Sequence, residues 1–238
     1  MPTTPTSLVV GGSSDIGLAA AARLAAAGDT VHVAGRNPDR LSAAIAAHPG
    51  LLTHELDASD AGSVASLLDE LGGIDRLIVT LSGNKGAGPL AELDLGTLRE
   101  AFEEKLWPTL TAVKTAVPHL AQGGSITLIG AVTARTGMPG TAGIGALNAA
   151  IEGLVKPLAA ELAPIRVNAV SPGYVDTPWW NMIPNADRQA MFDQIAQSLP
   201  TRRIATPDDI AQAVVLLATN PNLTGTVIES DGGAHLTA

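Results

Sequence analysis

Cysteine is absent from this chain of 238 residues, and aromatic side chains make up only 3% of it. Without cysteine there is no disulfide, no thiolate nucleophile and no cysteine metal site. The five histidines have no metal-ligand spacing, so we expect no metal centre. Tyr174 is the only tyrosine, which leaves one candidate for any chemistry that needs a phenol.

Basic side chains are also scarce. Lysine and arginine number 14 against 23 acidic residues, which gives a net charge of −9. The chain lacks the basic footprint that nucleic acids or anionic membranes require, and we expect neither as a partner. No run of residues has the length and polarity of a membrane span. The N-terminal segment lacks the basic and apolar regions of a secretory signal, so we expect a cytoplasmic protein.

Apolar residues are abundant, at 46% of the chain against 16% charged residues. That balance favours a homodimer or homotetramer. Short apolar runs alternate with helical patterns, which predicts an α/β fold with about seven parallel strands and helices on both faces. We treat 1–238 as one domain, because no linker or repeat interrupts it. The predicted strands are 8–10, 30–34, 51–56, 77–79, 125–129, 166–170 and 226–229; the predicted helices are 16–27, 38–47, 61–71, 95–120, 142–162 and 207–218, with loop and helix at 175–199.

A glycine-containing loop joins the first predicted strand to the first predicted helix. It reads Gly11-Gly12-Ser13-Ser14-Asp15-Ile16-Gly17. Glycines let the backbone approach a pyrophosphate, and the free N–H groups at the start of the helix bind it. The loop therefore predicts a dinucleotide site formed by Gly11, Ser13, Ser14, Asp15, Ile16 and Gly17. A tight turn that binds no ligand is the alternative.

Arg36 ends the second predicted strand, where the adenosine ribose of a dinucleotide would lie. An acidic residue there would accept from the ribose 2′-hydroxyl, whereas arginine suits a 2′-phosphate through bidentate hydrogen bonds. The sequence therefore predicts NADP(H) in preference to NAD(H). A solvated charge before the next helix is the alternative for Arg36.

Over almost its whole length the chain resembles the short-chain dehydrogenase/reductase family, whose glycine motif is Gly-x-x-x-Gly-x-Gly. Gly11 and Gly17 match that motif, while Asp15 replaces its middle glycine. The resemblance implies a single Rossmann-like, doubly wound domain with a loop at about 175–205 that covers the substrate. It also implies further cofactor contacts, from the acid that holds the adenine amino group to the turn that meets the nicotinamide: Asp57, Ser82, Gly83, Asn148, Pro172, Gly173, Val175 and Thr177.

The same resemblance implies a reaction centre of four residues, and this chain differs at each of them. The family uses a tyrosine as acid or base, a lysine four residues later, a serine thirteen residues before the tyrosine, and an asparagine in the long middle helix. Those positions hold, in the same order, Ile144, Asn148, Ala131 and Lys105. Reduction of a ketone would leave an alkoxide without an O–H donor, and each lost donor costs about 2.7–4 kcal/mol. We therefore do not expect simple ketone reduction.

Lysine and asparagine are exchanged between two of these positions. One interpretation is that Lys105 and Asn148 are in contact, so that an ammonium group is still present in the site but comes from the other helix. The alternative is that Lys105 is a solvated helix residue and that the Asn148 amide only fills space. Tyr174 is a candidate proton donor, with packing at a turn as the alternative. The remaining candidates are hydroxyls near Ala131 and residues that would form an aromatic-walled pocket: Thr133, Thr136, Thr141, Trp179, Trp180 and Met182.

Three functions are compatible with these observations. The one we favour is an atypical NADP(H)-dependent oxidoreductase that transfers hydride to an activated acceptor of apolar or aromatic character, such as an iminium, a quinone or an enone. Its catalytic candidates are Lys105, Asn148 and Tyr174. The second is a catalytically inactive NADP(H)-binding homologue with a regulatory or subunit role. The third is a non-redox enzyme on the same fold, for which Asp15 and the altered 80–83 segment leave room.

Overall fold

The protein contains a seven-stranded sheet, seen in a computed structural model that describes residues 4–83 and 85–237. The strands lie in the order β3-β2-β1-β4-β5-β6-β7, and each neighbouring pair is parallel. This arrangement confirms the predicted α/β architecture. The strands are β1 (Thr6–Val10), β2 (Thr30–Gly35), β3 (Leu52–Glu55), β4 (Ile74–Val79), β5 (Leu120–Ile129), β6 (Arg166–Pro172) and β7 (Val227–Ser230).

Helices connect the strands and cover both faces of the sheet. Pro38 and Pro207 stand at the first positions of their helices. The N–H group that proline lacks would have no partner within the helix at this position, so no hydrogen bond is lost. The helices are α1 (Asp15–Ala26), α2 (Pro38–Ala47), α3 (Ala61–Leu71), α4 (Leu95–Ala116), α5 (Ala142–Glu161), α6 (Asn185–Ser198) and α7 (Pro207–Thr219). Short 3₁₀ helices lie at Val117–His119, Val132–Ala134, Pro178–Met182 and Ala234–Leu236.

The core is divided by the sheet into two layers. Alternate residues of a strand point to opposite faces, so Leu8 and Val10 enter one layer and Val9 the other. The first layer packs against α3, α4 and α5, and the second against α1, α2 and α7. Because both faces are covered, inner strands such as β1 are largely buried on both sides, whereas the edge strands β3 and β7 are only partly buried.

Two sequence predictions at the boundary between α4 and β5 were wrong. The helix predicted over 95–120 ends at Ala116, and β5 begins at Leu120 instead of at residue 125. Pro118 has no N–H to continue the helical bonding, and a 3₁₀ turn follows α4. Leu120 instead pairs with Ile74 of β4 across an irregular register, a contact that no local pattern indicates. Pro108 lies inside α4 without ending it.

The strand order reverses direction between β1 and β4. Chain connections leave the sheet toward opposite sides at this point and open a crevice beyond the carboxyl ends of the strands. The loops after β1, β4, β5 and β6 therefore converge at one edge of the sheet. These loops carry part of the candidate site; Arg36 and Asp57 follow β2 and β3, and Lys105 and Asn148 lie in α4 and α5.

Candidate active site

A crevice of about 980 Å³ runs along the carboxyl ends of the strands. Arg36, Arg40 and Asp57 line one end, and Lys105 and Ile144 line the other. All of the predicted cofactor and catalytic residues border this one crevice, including Ala131, which lies in the expected serine position. Its size is within the range of small-molecule and cofactor sites.

The glycine loop has a conformation that other residues would disturb. Gly11 has φ +83°, and a Cβ there would lie 2.8 Å from Thr80 Oγ1. A Cβ on Gly17 would lie 2.5 Å from both Gly11 O and Thr80 Oγ1. Asp15 has φ +53°, so it retains the left-handed backbone that a glycine would adopt freely and that aspartate tolerates better than most residues. The loop therefore keeps its shape despite the loss of the middle glycine.

The start of α1 offers free backbone donors to the crevice. Its N-cap residue, Ser14, makes no side-chain cap hydrogen bond. The first N–H groups of a helix have no partner within the helix, and together with the helix dipole they bind anions. Ser13, Ser14, Asp15, Ile16 and Gly17 all line this part of the crevice. The loop thus fits a pyrophosphate, although the Asp15 carboxylate stands beside it.

Two guanidinium groups border the end of the crevice that follows β2. Arg36 lies where the sequence predicted it, and Arg40 from the first turn of α2 lines the same end. Asn37 caps that helix by accepting from the Arg40 backbone N–H at 2.9 Å. Sequence reasoning missed Arg40, because an exposed arginine in a predicted helix gives no local indication of a ligand site. Two exposed cations here fit a ribose 2′-phosphate better than one.

Asp57 follows β3, which ends at Glu55, and lines the same end of the crevice as these arginines. Its Oδ1 accepts from the Ser59 backbone N–H at 2.9 Å and from the Ser59 hydroxyl at 2.7 Å. Those hydrogen bonds, together with the charge of Arg36, lower the pKa of the Asp57 carboxyl. Asp57 is therefore held as an ionised acceptor, the form needed to bind an adenine amino group.

At the other end of the crevice, Lys105 and Asn148 are in direct contact. Lys105 comes from α4 and Asn148 from α5, and Lys105 Nζ donates to Asn148 Oδ1 at 2.7 Å. Lys105 is only 7% exposed, so it is not a solvated helix lysine. Its second acceptor, Gly130 O, is 3.4 Å away. Burial lowers the pKa of Lys105 to about 8, against the opposing effect of the Glu152 charge.

Ala131 and Ile144 border the crevice beside this pair and bring no polar side-chain atom to it. Tyr174 also borders the crevice, but its hydroxyl meets the Met138 sulfur at 3.6 Å and its ring stacks on Trp180 at 6.0 Å. Burial raises the pKa of Tyr174, which makes the phenol a weaker acid. The structure therefore favours the packing interpretation of Tyr174 over a proton-donating one.

The segment after β6 reaches across the crevice. Trp179 Nε1 donates to Gly83 O at 2.9 Å, and Gly83 follows β4. β5 lies between β4 and β6, so these two strands are two strand spacings apart, or about 9.5 Å. The Trp179–Gly83 bond therefore joins chain segments that leave the sheet on either side of β5. Ala131, which follows β5, lines the same crevice. We call Trp179 and its bond to Gly83 the crevice bridge.

The remaining predicted contacts after β4 and β6 also lie in the crevice. They are Ser82, Gly83, Pro172, Gly173, Val175 and Thr177. Gly173 is required by close packing, because a Cβ there would lie 2.7 Å from Asp231 Cα. Val175 pairs with Ala205, which ties the two ends of the 175–205 segment together. Among residues 4–83 and 85–237, no cluster of three or more metal-ligating side chains is present, and no helix has the length and apolarity to cross a membrane.

The chain is similar to known proteins over nearly its whole length. Residues 10–235 match the family described as Enoyl-(Acyl carrier protein) reductase. A cis-4-hydroxycyclohexanecarboxylate dehydrogenase from Sinomonas cyclohexanicum is 31% identical, over 95% of this chain and 94% of the relative. A small-chain dehydrogenase solved in complex with NADPH is 35% identical, with a TM-score of 0.85 over 98% of this chain and 100% of the other.

A second NADPH-bound structure is a short chain oxidoreductase from Pseudomonas aeruginosa PAO1 described as containing an atypical catalytic center. It is 28% identical to this chain, with a TM-score of 0.88 over 96% of both chains.

Proposed function

Because the chain belongs to the short-chain dehydrogenase/reductase family, we propose that it is an NADP(H)-dependent oxidoreductase for acceptors that need little acid assistance. The observation that carries this proposal is the buried Lys105 ammonium held against Asn148 in the crevice. A lysine buried at this depth is costly to the fold, so a solvated or incidental role does not account for it. The single α/β domain, with 175–205 as its substrate-covering loop, is part of the same proposal.

NADP(H) fits the residues of the crevice. Gly11, Gly17 and the uncapped start of α1 would hold the pyrophosphate, and Arg36 with Arg40 would hold the 2′-phosphate. The two NADPH-bound structures of similar proteins support this assignment. When bound, NADPH supplies the hydride. Lys105 and Asn148 lie at the end of the crevice where its nicotinamide would be expected.

The charge of Lys105 ranks the three classes of acceptor. Hydride transfer to a quinone or an enone puts negative charge on oxygen, and a nearby ammonium in a buried site stabilises that charge. An iminium is already cationic, so the same ammonium would repel it. A simple ketone would give an alkoxide, which is far more basic than a phenolate or an enolate, and Ala131 and Ile144 supply no acid to protonate it. This disfavours simple ketones. We therefore place quinones and enones ahead of iminium ions.

The walls of the reaction end match an apolar or aromatic substrate. Tyr174, Trp179 and Met138 line it, and Met182 lies at its mouth. Trp179 and Trp180 pack edge to face at 4.6 Å, and both indole N–H groups are bonded to backbone carbonyls. These rings are thus held in place and present flat apolar surface to a ligand.

The test is consumption of NADPH, followed by its absorbance, with one probe from each class: menadione, cyclohexenone, dihydroisoquinolinium and, for comparison, cyclohexanone. We expect turnover of menadione or cyclohexenone and at least about tenfold slower rates with the other two. Lys105→Met should abolish turnover while leaving NADPH affinity within about twofold. Rates that are equal in Lys105→Met and wild type would remove Lys105 from the reaction.

One alternative is favoured by a specific observation. The Tyr174 hydroxyl is engaged with Met138 and Ile144 brings no polar side-chain atom to the crevice, so the chain would also suit an NADP(H)-binding protein without turnover. NADPH binding in a thermal-shift titration with no consumption by any probe would select it. Failure to bind NADPH at all would point to non-redox chemistry.

We further propose that the chain forms a homodimer or homotetramer. Trp107 and Leu95 on α4 are large apolar side chains that are 52% and 60% exposed. Together with the apolar composition of the chain, at 46% apolar residues, these exposed side chains support an interface between subunits. Light scattering should give a mass above 24.1 kDa, and Trp107→Glu should lower it.

A further inference from the structure

The Lys105–Asn148 contact is the first part of a longer hydrogen-bond chain. Lys105 can only donate, so it fixes Asn148 Oδ1 toward itself. The Ile144 carbonyl can only accept, and it lies 3.0 Å from Asn148 Nδ2. Both ends of the amide are therefore assigned by chemistry, and its remaining N–H must point to the third neighbour. That neighbour is Thr133 Oγ1, at 3.0 Å.

Thr133 is an acceptor in this chain, which frees its own proton. The residue lies in the 3₁₀ turn Val132–Ala134, two residues after Ala131, and its side chain borders the crevice. In the part of the chain that the structure describes, no protein acceptor takes the Thr133 hydroxyl proton. Because Asn148 donates to the Thr133 oxygen, the hydroxyl can rotate its own proton away from the amide and toward the crevice.

Two nearby hydroxyl groups differ from Thr133 in this respect. The Thr141 hydroxyl donates to Met138 O at 2.8 Å, and the Tyr174 hydroxyl meets the Met138 sulfur. Their protons are already engaged. Hydrogen bonds in series also strengthen one another, so an ammonium that polarises the Asn148 amide makes the Thr133 O–H a better donor.

We propose that Thr133 donates the hydrogen bond that stabilises the acceptor oxygen during hydride transfer, as a catalytic residue polarised by Lys105 through Asn148. This inference rests on the proposed function. Hydride from NADPH forms the new C–H bond, the C=O electron pair moves to oxygen, and NADPH is oxidised to NADP⁺. The oxygen is held by the Thr133 O–H while it carries charge and then takes a proton from solvent.

The closing experiment has two arms, and it compares Thr133→Val and Thr133→Ser with wild type. Thr219→Val serves as the control, since its hydroxyl donates to Val215 O on α7, outside the crevice. The first arm measures menadione turnover together with NADPH affinity. The second arm titrates protein loaded with NADP⁺ against para-nitrophenol, whose coloured phenolate mimics the charged oxygen and needs no turnover.

In the first arm we expect Thr133→Val to lower turnover about a hundredfold with NADPH affinity unchanged. In the second, it should weaken phenolate binding about tenfold or more and raise the pKa of the bound phenol. Thr133→Ser, which keeps the hydroxyl, should stay within about threefold of wild type in both arms. A purely structural role would not move the pKa of the bound phenol.

The proposal is overturned if Thr133→Val binds the phenolate as wild type does, or if Thr133→Ser is as weak as Thr133→Val. It is also overturned if wild type binds no phenolate. If phenolate binding follows Thr133 while no acceptor is reduced, the proposed function fails and the donor assignment stands.

Discussion

Replacing Lys105 by methionine tests the burial of its charge by a change in stability that depends on pH. The two side chains are similar in length, so the substitution removes the ammonium with little change in packing. Two opposing effects follow. Methionine relieves the desolvation of a buried cation, but it leaves Asn148 Oδ1 without the donor now 2.7 Å away. The balance between them decides whether the variant is more or less stable than wild type.

The size of the first effect follows from the pKa of Lys105, which burial lowers from 10.5 to about 8. At 1.36 kcal/mol for each pH unit between those values, charged Lys105 destabilises the fold by about 3 kcal/mol. Below about pH 8 both states hold the proton and the full penalty applies. Between about 8 and 10.5 only the unfolded chain holds it, so wild type gains stability as pH rises, and above that range the penalty is gone.

The unpaired Asn148 oxygen costs about 1–3 kcal/mol at every pH. At neutral pH, Lys105→Met should therefore be as stable as wild type or up to about 2 kcal/mol more stable. By about pH 10 the difference should have moved by about 2–3 kcal/mol in favour of wild type. Urea denaturation of both proteins across this range measures it.

Lys114→Met is the matched control, because Lys114 lies on the same helix but is exposed. Its stability difference from wild type should stay flat with pH. A flat difference for Lys105→Met as well would refute the burial of a charged Lys105, and with it the basis of the proposed reaction.

Two further predictions concern the cofactor end. Arg36→Ala should weaken NADPH binding about tenfold or more and leave NADH binding nearly unchanged, since one charge-assisted pair with the 2′-phosphate is lost. Equal losses of affinity for both coenzymes would contradict this prediction. So would a similar loss in Arg99→Ala, the control at an exposed arginine. Asp15→Gly should tighten NADPH binding about three- to tenfold in calorimetry, because it removes a carboxylate beside the pyrophosphate and relieves a φ of +53°. Weaker binding would mean that Asp15 assists the loop.

Much of the fold could be predicted from the sequence. The glycine loop was recognisable because Gly11 and Gly17 stand between an apolar strand and a helix, and the match over residues 10–235 confirms the family. The end of α4 could not be predicted, because it depends on Leu120 pairing with a distant strand. Arg40 was missed because a single exposed arginine in a helix carries no signal until the crevice is seen.

The reaction end was predictable in part. The exchange of lysine and asparagine left two interpretations open, a contact between Lys105 and Asn148 or a solvated Lys105, and the structure brings the two residues together. The role of Thr133 could not be ranked above its neighbours from sequence, because it depends on which end of the Asn148 amide faces which partner. That orientation is set by Ile144 O and Lys105, which come from different helices.

The crevice bridge bears on the order of binding events. The Trp179–Gly83 hydrogen bond joins the segment after β6 to the loop after β4 at the rim of the crevice, and we expect a bound dinucleotide to leave only after that bond opens. A small acceptor would instead enter from the side of Met182, which is open to solvent. Coenzyme would then arrive first and depart last, giving compulsory-order kinetics in which coenzyme dissociation limits turnover.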